Sequence, residues 1–152
     1  AEFDLDNAIW TVPPERMKAK REHRVPLSTQ AIKLLKAQKE LFPTGLVFPG
    51  MKEGKPLSDM SLTAVLRRME RNDITVHGFR SSFRDWAAES TAYPNEMAEM
   101  ALAHTIGDKV EAAYRRGDLF EKRRRMMNDW SNFCDTVIKA GEVIPLRSNT
   151  AA

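Results

Sequence analysis

Apolar residues recur at helical spacing along most of this chain and at strand spacing only near its start. Leu62, Val65, Leu66 and Met69 form one such set, Phe79, Phe83, Trp86 and Ala87 a second, and Met126, Trp130, Phe133, Cys134 and Val137 a third. Residues three and four apart share a helix face, so each set predicts a helix that buries one stripe. Two short runs break this pattern. "NAIWTVP" (7–13) and "HRVPL" (23–27) are β-branched or aromatic and bounded by prolines, which predicts an antiparallel hairpin joined by a long basic loop over residues 14–22. The fold class expected is mainly α with a small antiparallel β-sheet, an α+β domain.

The punctuation between these stretches adds detail. Ser28 is placed to cap a helix carrying Ile32, Leu34 and Leu35 to about Lys39, and Ser58 to cap the next one. "GLVFPG" (45–50) reads as a very short strand. "YPN" (93–95) breaks the chain before "EMAEMALAH", and Asp108 with Glu111 three residues later has the form of a capping box. That box opens a short helix through Val110 and Ala113 to Tyr114, and the last long helix starts at about Leu119. Residues 1–140 are read as one domain, and residues 141–152 as a tail, flexible or docked on a neighbour.

At 152 residues the chain has room for one domain with a real core. Its hydrophobic fraction of 42% and charged fraction of 30% are those of a soluble globular protein. No apolar run approaches the ~18 residues of a membrane span, and the start is not a signal peptide. A single cysteine, Cys134, leaves no internal disulfide and points to a reducing, cytoplasmic setting. The net charge of +3 understates the local charge, because "RMKAKREHR" (16–24), "RRMER" (67–71), "YRRG" (114–117) and "EKRRR" (121–125) are all basic clusters. Such clusters suit a polyanion such as nucleic acid, although many basic faces are merely solvated. Three histidines and scattered carboxylates lack a standard ligand spacing, so neither a metal nor another cofactor is expected.

"TVHGFRSSFRDWAAES" (75–90) places His77 three residues before Arg80 at the start of a helix. Positions i and i+3 are neighbours on one face. The first helical turn adds unpaired N–H groups and the positive end of the dipole, which together favour an anion. An arginine fork there can hold a phosphate through two charge-assisted hydrogen bonds, and the histidine can donate another or move a proton. Alone, a bare H-x-x-R is more often a capping histidine with a surface arginine. Its weight comes from "LAHTIGDKVEAAYRR" (102–116), where His104 follows a helix and Tyr114 comes ten residues later.

The ordered series H-x-x-R, H, Y resembles the catalytic domain of the tyrosine recombinases, the integrase family. "HGFRSSFRDWAAE", "LAHTIGDKVEAAYRRGDLFEKRR" and "MKAKREHRVPLS" most resemble integrases of bacterial prophages and genomic islands, over roughly residues 1–135. The resemblance implies site-specific recombination, integrative or excisive, at double-stranded DNA attachment sites in a bacterial cytoplasm, close to the nucleoid. It makes Tyr114 the nucleophile that leaves a 3′-phosphotyrosine and a free 5′-hydroxyl. Arg80 would clamp the scissile phosphate, His77 would contact it and assist proton transfer, and His104 would donate a hydrogen bond to it. Lys18 matches the lysine that protonates the leaving 5′-oxygen, with Lys20 two residues away as the alternative. Without the resemblance Lys18 reads as an ordinary solvated lysine. Lys20, Arg21, Arg84 and Arg115 are candidates for DNA-backbone contact. Family members work as tetramers on two duplexes, without metal or ATP.

One departure stands out. The family's first arginine lies in a stretch like T-G-x-R-x-x-E, and nothing here matches it. The expectation is therefore an N-terminally truncated catalytic fragment with weak or no cleavage of its own, since losing one phosphate clamp costs on the order of 10²–10³ in rate. The contrasting expectation is a helical DNA-binding module without chemistry, such as a transcriptional regulator, for which the same helices and basic clusters would serve.

Overall fold

A computed structural model describes residues 2–52, 54–104 and 117–136. The chain begins with an antiparallel sheet in the order β1 (Phe3–Asp4), β2 (Ile9–Val12), β3 (His23–Pro26). Trp10 lies opposite Phe3 on one side and Val25 on the other, and its ring stacks on Phe3 at 5.4 Å. Asp4 makes the first turn, accepting from the Asn7 backbone and side-chain nitrogens at 2.9 and 2.8 Å. The predicted hairpin is thus present. β1 is an addition, because two residues are too few to show a period in sequence. The long basic loop holds one 3₁₀ turn, Pro14–Arg16, with proline at its first position where no N–H is needed.

Five α-helices follow among the described residues: α1 (Thr29–Leu41), α2 (Ser61–Arg68), α3 (Gly78–Ser90), α4 (Asn95–Ala101) and α5 (Phe120–Asp135). Ser28 caps α1 as expected, its Oγ accepting from the Ala31 N–H at 3.2 Å. Ser58 does not cap α2. Its hydroxyl meets that of Ser61 at 3.0 Å, and Met60 precedes the helix without a side-chain cap. Nor does 45–50 make a strand: only Pro49 and Pro56 bridge there. Pro43 before the segment and Pro49 within it remove ladder donors, which restricts such a run to an isolated bridge. Gly50 is required at that bridge, since a Cβ would stand 2.4 Å from the Pro56 carbonyl oxygen.

The core lies where α3, α4 and α5 meet, with Phe83, Trp86, Ala87, Met97, Ala98 and Met126 buried together. Trp130 closes it edge-on to Phe83 at 5.5 Å. The apolar stripes run further than the elements that cover them. Phe79, expected in the core, is 54% exposed on the first turn of α3, and Leu62, Val65 and Met69 of α2 are also exposed, leaving Leu66 as its one buried residue. Leu34 on α1 and Phe133 and Cys134 on α5 are likewise exposed, although Phe133 still stacks on Trp130 at 5.6 Å.

A buried arginine joins the sheet to α5. Arg123 is 1% exposed, and its guanidinium donates to the Asp118 carbonyl at 2.8 Å, the Arg24 carbonyl at 2.9 Å and the Asp118 carboxylate at 3.2 Å. Arg24 donates to the same carboxylate at 2.8 Å and lies over the Phe120 ring, 4.6 Å from its centre. Burial pulls Arg123 below the usual arginine range while the Asp118 charge opposes it. A buried cation is tolerated when its donors are satisfied in this way.

Candidate active site

α3 starts at a threonine cap. The Gly78 N–H donates to Thr75 Oγ1 at 3.0 Å, while His77, immediately before the helix, makes no side-chain cap. One turn in, the exposed Arg80 reaches across to the end of α4. Its Nη2 donates to the Leu102 carbonyl at 2.7 Å and lies 2.8 Å from His104 Nε2. Arginine has only donors, so Nε2 accepts and the ring proton sits on Nδ1. That Nδ1 is 2.7 Å from Glu99 Oε2. The other Glu99 oxygen faces Arg84 of α3, whose Nε is 2.8 Å away as an ion pair that lies off the line of a hydrogen bond. Arg84, Glu99, His104 and Arg80 thus form one connected series between α3 and the end of α4.

The backbone explains why residues 99 and 104 meet. The His104 N–H returns to the Glu99 carbonyl at 2.9 Å, the Ala103 N–H to Met100 at 3.1 Å, and Ala103 is left-handed at φ 55. This is a Schellman ending, and it brings the residue after the turn back beside the last full turn of the helix.

Of the residues singled out by sequence, Arg80 and His104 come together, and Arg84 joins them through Glu99. His77, Lys18, Lys20 and Arg21 are exposed and form no bond with that group. Lys20 holds a left-handed φ of 52 in the hairpin loop. Tyr114, Arg115 and the Asp108 capping box lie outside the described residues, as does the tail 141–152. Glu99 is the member of this group that sequence reasoning missed; its one signal is an acid five positions before a histidine across a helix end. Among the described residues no group of three His, Cys, Asp or Glu could hold a metal ion, and no helix is long and apolar enough to cross a membrane.

A small sheet followed by helices, with an arginine at one helix start converging on a histidine at another helix end, is an arrangement suited to an anion. Comparison with known proteins gives that class a family. Residues 1–118 match the phage integrase family, and the chain belongs to it. It is 37% identical over 146 residues to the prophage integrase IntZ of Escherichia coli K12, covering 95% of this chain and 36% of the relative. It is 35% identical to the prophage integrase IntA of the same organism, covering 86% and 32%. With the integrase of Enterobacteria phage P4 it shares 33% over 152 residues, covering 88% and 35%. The chain spans about a third of the length of these relatives. No solved structure matches it.

Proposed function

We propose that this chain carries the catalytic chemistry of a tyrosine-type site-specific recombinase acting on double-stranded DNA attachment sites. The observation that carries it is the convergence of Arg80 and His104, 24 residues apart in sequence, within 2.8 Å of each other. Arg80 spends Nη2 on Leu102 and His104, while its Nε and Nη1 hydrogens make no hydrogen bond among the described residues. Nε–H and Nη1–H lie on different sides of the group, and each can give one hydrogen bond to a phosphate oxygen.

The chemistry runs as a transesterification. The Tyr114 phenol oxygen attacks phosphorus and loses its proton, with His77 assisting. The bond to the 5′-oxygen breaks as Lys18, or Lys20 beside it, protonates the leaving oxygen. Arg80 holds the non-bridging oxygens, where negative charge gathers in the transition state, and His104 keeps the guanidinium in place through Nε2. A phenol ionises near pH 10, about six units below water, so it is both an adequate nucleophile and an adequate leaving group. The phosphotyrosine bond conserves the energy of the broken linkage, and a second 5′-hydroxyl rejoins strands by the reverse attack. Lys20, Arg21, Arg84 and Arg115 extend the contact to neighbouring phosphates. Residues 1–140 form the catalytic unit, and 141–152 dock on a neighbouring protomer in a tetramer on two duplexes.

The second tyrosine supports the choice of Tyr114. Tyr93 donates to Asp129 Oδ2 at 2.5 Å, which pushes its phenol up to about 12 and commits its proton. The test is covalent capture: incubate the chain with a pool of nicked duplexes and search digests by mass spectrometry for a nucleotide-linked tyrosine peptide. The expected result is a Tyr114-linked peptide at no more than trace yield, since nothing in the sequence matches the family's first arginine motif, that disappears in Tyr114→Phe while DNA binding persists. DNA binding with no linked peptide, unchanged by Tyr114→Phe, would favour the module without chemistry.

A further inference from the structure

Glu99 belongs to no motif that led to the site, yet it has the most constrained surroundings there. Its carboxylate is 19% exposed, with one oxygen on His104 Nδ1 and the other, buried, against Arg84. Among the described residues the other side-chain partner of His104 is Arg80, on α3. We infer that Glu99 is the positioning residue of the site: it fixes His104 in the Nδ1–H form, turned so that Nε2 meets the Arg80 guanidinium. The inference rests on Arg80 being a phosphate ligand; in this form His104 has no N–H left for the phosphate and serves by holding the Arg80 guanidinium.

The physical case lies in the donors and acceptors. A carboxylate accepts on both oxygens, so it can face His104 N–H and Arg84 N–H together. An imidazole has two neutral forms, and the partner of one nitrogen decides the role of the other. With Glu99 accepting from Nδ1, Nε2 carries the lone pair that receives Arg80. With an N–H at Nε2 instead, two donors would confront each other over the 2.8 Å between His104 and Arg80. Arg80 would then retain only the Leu102 carbonyl, and the fork and the ring would no longer meet at one point. Glu99 touches neither Arg80 nor the expected phosphate position, so its effect passes through the histidine.

Glu99→Gln keeps the shape and supplies one acceptor instead of two. Its oxygen is drawn to Arg84, which turns the amide N–H₂ toward His104 Nδ1 and demands the opposite tautomer. Nitrogen-15 spectra of the histidines at pH 8.5, where imidazole is neutral, read this directly. The wild-type chain is expected to show His104 in the Nδ1–H form, and Glu99→Gln to show a mixture or the Nε2–H form. The double variant Glu99→Gln/Arg84→Met frees the amide oxygen for His104 and restores the wild-type tautomer. Far-UV circular dichroism confirms folding in each case. Titration with inorganic phosphate is expected to bind about tenfold more weakly in Glu99→Gln, the scale of one lost charge-assisted hydrogen bond. An unchanged His104 tautomer and phosphate affinity in Glu99→Gln would overturn the positioning role, while weakening by Arg80→Ala would leave the phosphate reading standing. Phosphate binding indifferent to both Arg80→Ala and His104→Ala would overturn that reading, and with it the role of Glu99.

Discussion

Arg80 and Arg123 show how one residue type serves two purposes. Arg123 is enclosed and its guanidinium hydrogen bonds hold two carbonyls and a carboxylate between β3 and α5. Arg123→Met removes those bonds and leaves buried acceptors unmet, so unfolding in urea is expected to lose about 2–3 kcal/mol. Arg80 is exposed, and Arg80→Ala is expected to leave stability within about 1 kcal/mol of wild type while phosphate affinity falls. A large stability loss in Arg80→Ala would make it a structural residue. Arg80 and His104 were legible because their order along the chain carries the family pattern. Glu99 was not, because its partner lies across a helix end, where no helical spacing applies. Arg123 looked like one basic residue in "EKRRR", and only packing separates it from its neighbours.

Among the elements, the turn that ends α4 governs the site, and it has a measurable strain. Ala103 takes a left-handed conformation that disfavours a Cβ. Ala103→Gly is expected to stabilise the fold by roughly 1 kcal/mol in urea titration with the His104 tautomer unchanged; a loss of stability would mean the turn is not held as described. At the other helix, Thr75→Ala removes the cap of α3 and is expected to cost about 1 kcal/mol. Hairpin, α1 and α5 were readable from period and caps. The failures have local causes: prolines dissolved the 45–50 strand, Ser58 bonded a neighbouring hydroxyl instead of a helix N–H, and Phe79 lies on a stripe that outruns its cover.

In the whole molecule, sheet and helices are joined at β3, and that joint responds to pH. His23 on β3 is half-buried, and burial, with the nearby Arg123 charge, holds it below the ordinary histidine value against the opposing Ala101 carbonyl and Asp118. A lowered folded value means that the unfolded chain takes up the proton first. Stability is therefore complete above the unfolded value of about 6.5 and falls as pH drops from there toward the folded value. Urea unfolding at pH 7.5 and 5.5 should show this decline in the wild-type chain and a smaller one in His23→Gln; equal declines would remove His23 as the cause. Basic clusters and the Arg80 site together predict DNA binding that weakens steeply with salt, because phosphate contacts release counterions.

The most direct measurement is a crystal structure of the chain grown with vanadate as a phosphate mimic. The expected result is one anion bound by Arg80 through a guanidinium hydrogen not given to Leu102 or His104, with His77 turned onto it from the start of α3. An anion bound elsewhere, with Arg80 still closed on Leu102 and His104 and with His77 facing solvent, would contradict the assignment of this group as the phosphate site.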